Sequence, residues 1–123
     1  IEIVQRRFTK KLYCMSNLSY KDRLVSLKLD SLHNRRVKQD LVMCYKINGL
    51  ICLDFSDYFS YVVSDRTRGH NYKLAIQNCR IDARKFCFAR RVCHVWNKLP
   101  TDVVNACSLN SFKRKLTVFD FDD

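Results

Sequence analysis

Glycine and proline are almost missing from this chain, with two of the first and one of the second in 123 residues. A many-turned β-sandwich or barrel draws on those residues at its reversals, so their scarcity speaks against that class and for long helical stretches. Acidic side chains are scarce too. Twelve Asp and Glu stand against 23 Lys and Arg, which leaves a net charge of +11 and a pI near 9.6. A chain this basic is expected to meet a polyanion, either nucleic acid or an anionic membrane face. No apolar run approaches the roughly 18 residues that span a bilayer, and no signal-peptide pattern opens the chain. Nucleic acid is therefore the favoured partner, with no membrane partner and an intracellular location, nuclear or cytoplasmic. The strings that carry chemistry are missing as well: there is no G-x-S-x-G, no H-E-x-x-H and no Gly-rich phosphate loop. No catalytic residue is nominated.

Cysteine is plentiful by contrast. The seven are Cys14, Cys44, Cys52, Cys79, Cys87, Cys93 and Cys107. Their number is odd and no C-x-x-C occurs. The closest two, Cys87 and Cys93, lie six apart beside His94. Zinc modules take two ligands from a tight knuckle, which is absent, so no metal ligand and no cofactor is assigned to this chain. The expectation is free thiols used as small apolar fillers.

Apolar residues make up 47% of the chain, enough to close a core. The length suits one domain, expected over residues 1–119 with an acidic tail at 120–123. The chain opens on Ile1 with a helical pattern under way, as a cut from a longer polypeptide would. Ile1, Val4, Phe8 and Leu12 share one helix face, with Arg6, Arg7, Lys10 and Lys11 around the rest. Ser19 and Asp22 read as a capping box for a short helix ending by about Leu29. Ser31 caps a third helix with Val37, Leu41, Cys44 and Tyr45 as its buried stripe, ending before Gly49. Tyr72, Leu74 and Ile76 alternate with Lys73, Ala75 and Gln77, which predicts a strand paired with a second one near Arg80 to Arg84.

Phe86 to Leu99 forms the second strong helix pattern. Phe86, Phe88, Ala89, Val92, Cys93, Val95, Trp96 and Leu99 sweep its inner arc; Arg90, Arg91, His94 and Lys98 gather opposite. Pro100 stops it, and Thr101 to Ala106 reads as a single turn. Ser108 then caps a last helix with Phe112, Leu116 and Phe119 inward. The expected fold is mainly α: a compact bundle of about five to six helices, with a small β-hairpin between the third and the Trp96 helix. Leu41, Tyr45, Phe88, Val92, Trp96, Leu99, Phe112 and Leu116 form its expected core.

Basic residues cluster at 6–11, 35–38, 66–73, 80–91 and 113–115. Several Lys or Arg contacts to phosphates bind strongly, without sequence preference, and weaken in salt. Arg66, Arg68, Lys73, Arg90, Arg91 and Lys98 are the nominated phosphate contacts. Arg66-Thr67-Arg68-Gly69-His70 is the sharpest of these strings, because a Gly between guanidiniums lets backbone amides approach an anion. The alternative for the same string is a surface turn in which Gly69 supplies a positive φ. The tyrosines could stack on bases, although Trp96 sits in an apolar arc and reads as a packing anchor.

An ordered set of strings carries a resemblance. Val4-Gln5-Arg6-Arg7-Phe8-Thr9-Lys10, Leu18-Ser19-Tyr20-Lys21-Asp22-Arg23-Leu24 and Asp40-Leu41-Val42-Met43-Cys44-Tyr45-Lys46-Ile47 come first. Arg66-Thr67-Arg68-Gly69-His70, Trp96-Asn97-Lys98-Leu99-Pro100 and Ser108-Leu109-Asn110-Ser111-Phe112-Lys113 follow. Together they resemble the C-terminal region of reverse transcriptases from non-LTR (LINE-type, jockey-like) retrotransposons. The resemblance implies a piece downstream of the polymerase palm that helps hold template RNA or target DNA, with upstream polymerase domains as partners. The catalytic aspartates and their Mg would belong upstream. The chain departs from relatives that end in a Cys/His zinc knuckle. Its Lys46-Ile47-Asn48-Gly49 is also shorter than the family's K-I-L-H-G. The acidic Phe119-Asp120-Phe121-Asp122-Asp123 end lacks the aromatic-x-Asp-Asp order of a palm motif. Two rivals remain: a brace for the polymerase thumb that touches no nucleic acid, and an independent helical DNA-binding or interaction module.

Overall fold

Helices supply the regular structure, as the shortage of chain breakers implies. A computed structural model describes residues 2–63, 69–78 and 80–121, apart from the side chains of Arg84 and Lys85. In chain order come α1 (Glu2–Lys10), α2 (Tyr20–Leu27), α3 (Leu32–Ile47), a 3-10 turn at Phe55–Asp57, α4 (Asp82–Lys85), α5 (Phe88–Trp96), α6 (Thr101–Val104) and α7 (Leu109–Leu116). None is long and apolar enough to cross a membrane. The chain divides into two units, Ile1–Val37 with Asp120–Asp123, and Lys38–Phe119.

The first unit rests on polar grips. Ser19 caps α2 by accepting from the Asp22 amide, and its own hydroxyl donates to the Asp22 carboxylate. Lys28 ends α2 in the left-handed region at φ 52°, and its amide and that of Leu29 reach back to Val25 and Leu24 carbonyls. Arg23 of α2 is buried. Its guanidinium donates to the Thr9 hydroxyl at 3.2 Å, the Leu18 carbonyl at 2.6 Å and the Arg6 carbonyl at 3.4 Å. The Tyr20 hydroxyl binds Glu2, and the Tyr20 ring lies under both Arg6 and Arg23. Ser31 opens α3 by accepting from the Asn34 amide. Asp120, expected in an acidic tail, accepts from the Asn34 side chain.

This arrangement reverses the expected orientation of α1. Thr9 is buried on α1, whereas Val4 and Phe8 are 70% and 63% exposed. The helix is docked through Glu2, Gln5 and Thr9, so its apolar stripe faces out. Periodicity revealed a face; it did not reveal which side would be covered.

The second unit holds the apolar core. Leu41, Cys44 and Ile47 of α3 and Val92, Cys93 and Trp96 of α5 are buried, as are Leu99, Val103, Phe112 and Leu116. Of the eight expected core residues only Tyr45 and Phe88 stay half-buried. Tyr45 stacks on Phe112 with ring centroids 4.4 Å apart, and its hydroxyl donates to the Ala106 carbonyl. α5 begins at Phe88, later than the pattern implied, and Phe86 is exposed before it. Ser108 caps α7 by accepting from the Ser111 amide.

The expected β-hairpin does not form. No strand ladder occurs among the described residues, and the Asp82–Lys85 stretch is the helical turn α4. The 72–76 segment pairs instead with residues 60–62, through one isolated antiparallel bridge between Tyr61 and Leu74. Its two hydrogen bonds run from Val62 to Lys73 and from Ala75 to Ser60. The strand expected over 72–76 is therefore not formed; beyond the bridge, the Leu74 amide and carbonyl are taken by the Asn97 side chain and the Tyr72 carbonyl by the Trp96 indole.

The six described cysteines are all free thiols. Burial, helped by nearby Cys93, pushes the Cys44 thiol far above its ordinary range. Burial first, and Cys87 second, push Cys93 up to about 11. Only the thiolate alkylates, so at pH 8 Cys93 should react with iodoacetamide about a hundredfold more slowly than an ordinary thiol. Cys14, Cys52, Cys87 and Cys107 are exposed and should label first. Peptide mapping against time checks this; equal rates at all sites would mean that the core is open.

Candidate nucleic-acid interface

The nominated phosphate contacts do not share one fate. Arg66 and Arg68 lie outside the described residues. Gly69, next to them, has φ +102°, so the positive dihedral expected of this glycine is present. Lys73 folds its stem across Gly69, where an added Cβ would sit 3.4 Å from the Lys73 Cε. Lys98 is exposed beyond the end of α5.

Arg91 is spent internally. Its Nε and Nη2 hold both carboxylate oxygens of Asp40 at 2.7 and 3.0 Å, and its Nη1 donates to the Phe86 carbonyl. The Asp40 hydrogen bonds hold this guanidinium still more firmly in its charged form. A fork already matched to a carboxylate offers little to a phosphate. The expected basic stripe of Arg90, Arg91, His94 and Lys98 is therefore interrupted at Arg91.

Arg90 is the opposite case. It is half-buried, with Nη1 shut away from water and without a hydrogen-bond partner. It lines a cleft of about 300 Å³ together with Ser56, Ser60, Gln77 and Cys87. Further exposed cations include Arg7 and Lys10 on α1, Arg35 and Arg36 on α3, and Lys113 and Arg114 on α7, with Lys11, Lys28 and Arg80 outside the helices.

Three residues from the strings that look most like a binding signature, His70, Trp96 and Asn97, have an internal role. His70 is buried against the edge of Trp96, and its Nε2 lies 3.2 Å from the Trp96 carbonyl. A carbonyl only accepts, so Nε2 carries the hydrogen there. The Trp96 indole donates to the Tyr72 carbonyl at 2.9 Å. Asn97, the C-cap of α5, accepts from the Leu74 amide and donates to the Leu74 carbonyl, both at 2.8 Å. Three consecutive groups at the end of α5 thus staple residues 70–74 to it. Asn97 replaces the strand partner that Leu74 lacks. An amide at a helix C-cap just after the anchoring tryptophan was the one signal in the sequence for this role.

The described residues include no group of three or more His, Cys, Asp or Glu that could hold a metal ion. A neutral cleft of about 540 Å³ is lined by Tyr45, Asn48, Leu50, Tyr72 and Asn105 among others. No family model matches the chain, and no curated protein or solved structure matches it either.

Proposed function

We propose that this chain is a non-catalytic, nucleic-acid-binding accessory segment of an RNA-directed DNA polymerase of the non-LTR retrotransposon kind, gripping template RNA or target DNA through phosphates. The observation that carries the reading is the uncompensated charge. The net charge is +11, and Arg7, Lys10, Lys11, Arg35, Arg36 and Lys113 are exposed without a carboxylate partner among the described residues. Such cations attract condensed counterions, and a polyphosphate strand gains by releasing its own. The ordered sequence strings supply the polymerase context.

Filter binding of the chain to single-stranded RNA across a salt series tests it. About four phosphate contacts would give a log–log slope near −3. Exchanging Arg66 and Arg68 together for alanine should flatten that slope by about 1.4 if both touch phosphate. No retention at low salt would reject nucleic-acid binding. An unchanged slope would remove those two arginines alone.

A second reading, a packing brace within a larger polymerase, is favoured by one specific observation. The outward stripe of Val4 and Phe8 on α1 is the kind of surface that a neighbouring domain covers.

A further inference from the structure

The neutral cleft beyond the end of α3 joins apolar walls to polar groups that the chain itself leaves unused. Tyr45, Asn48, Leu50, Tyr72, Asn105 and Ala106 stand around about 540 Å³ of open space, and no charged residue lines it. Two of these side chains are fixed by their own contacts. The Tyr45 ring is held by its stack on Phe112 and by the hydroxyl bond to the Ala106 carbonyl at 2.6 Å. The Asn48 amide is oriented by Tyr61, whose hydroxyl donates to Oδ1 at 2.5 Å while its ring stacks on Phe55 at 4.7 Å. That bond leaves the Asn48 Nδ2 donors without a partner among the described residues. Asn105, which ends α6, is exposed, and its side-chain amide bonds no described residue. Leu50 and Tyr72 add large apolar surface at the rim, 57% and 46% exposed.

Each part of this wall narrows the ligand. A charged group would find no counter-charge on entering, so the occupant is neutral where it meets the cleft. Aromatic and aliphatic walls suit a flat apolar face, and unused amides suit an edge of donors and acceptors. A nucleobase has both: a π-face that stacks on aromatic side chains, and an edge that an Asn amide bonds as donor and acceptor together. Duplex pairing hides those faces and edges, so only an unpaired base offers them.

We propose that this cleft receives one unpaired base of a single strand, with Tyr72 stacking on its face and the Asn48 and Asn105 amides bonding its edge. The proposal rests on the nucleic-acid reading and adds a base contact to cations that reach only phosphate. A single strand, not a duplex, is then the form held.

The test uses the whole chain with three probes: a single-stranded RNA, an abasic strand of the same length, and adenosine, which carries no charge. Both strands bear the same phosphates, so counterion release is common to them and a difference in affinity belongs to the bases. The intact strand should bind about tenfold more tightly, within what stacking of one base contributes. Tyr72→Ala should erase most of that difference without moving the salt slope, and Tyr72→Phe should keep it. Asn105→Ala should reduce it about threefold, as the loss of one hydrogen bond would. Equal binding of both strands overturns the proposal and leaves phosphate binding standing. A difference that survives Tyr72→Ala overturns it as well, because the bases then stack elsewhere. Retention of neither strand sinks the nucleic-acid reading, and adenosine then decides the cleft: binding that Tyr72→Ala abolishes keeps it as a base site, and no binding overturns it. Should the variants not fold, the unaltered chain reports directly. A strand carrying 4-thiouridine should cross-link on irradiation to peptides that contain Tyr45 to Leu50 or Tyr72; cross-links confined to other segments overturn the proposal.

Discussion

Replacing Trp96 with alanine should lower the stability of the Lys38–Phe119 unit by about 3–5 kcal/mol, a large share of what a small domain possesses. The indole is 1% exposed among Phe112, His70 and the core of α5. Truncation would open a cavity and strip the Tyr72 carbonyl of its donor. Trp96→Phe separates the two effects, since it keeps most of the volume and loses only the N–H, for about 1–2 kcal/mol. Asn97→Ala should cost about 2–4 kcal/mol without any large cavity, because the amide and carbonyl of Leu74 both lose their partner. Leu74 is itself 1% exposed, so water cannot step in. Asn97→Asp keeps the acceptor but sets a carboxylate against the Leu74 carbonyl, and should be no better than alanine. Urea denaturation followed by circular dichroism is the measurement, because Trp96 is the chain's single tryptophan and its fluorescence is lost with it. A loss below about 1 kcal/mol for both Trp96→Ala and Asn97→Ala would refute the stapled arrangement.

Replacing Arg23 with alanine should cost the Ile1–Val37 unit about 3 kcal/mol, since charge-assisted hydrogen bonds to two carbonyls and a hydroxyl go together. The side chain also carries packing: its guanidinium sits 5.6 Å from the centre of the Tyr20 ring. Arg23→Lys should recover little. One ammonium cannot present the planar fork that reaches Thr9, Leu18 and Arg6 at once. Amide hydrogen exchange in α1 and α2 reads the effect locally. Unchanged protection there would show that Arg23 does not hold the two helices together. Because Arg23 is buried, its charge is spent on the fold, and the variant should leave the salt slope of RNA binding where it was.

Several elements were legible because their determinants are local. Ser19, Ser31 and Ser108 each accept from an amide three residues on, a spacing that can be read in the chain without knowing any neighbour. The stripe of Val37, Leu41 and Cys44 on α3 and the pair Phe112 and Leu116 on α7 follow from helical periodicity, and both are buried. The basic clusters were equally plain, but their division of labour was not. Arg90 and Arg91 are adjacent, and nothing in the sequence separates a cation tied to a carboxylate from one left unpaired.

By itself, then, the sequence determined the helical class, the caps, the buried stripes and the excess of positive charge, all of which depend on composition or on spacings within one turn. Tertiary structure alone decided that Asp40 would reach Arg91 across 51 residues, that Asn97 would stand in for a strand beside Leu74, and that α1 would turn its apolar stripe outward. The physical reason is the same in each case. A side chain's partner depends on which segments meet after folding, and one-dimensional periodicity marks a face without naming what covers it.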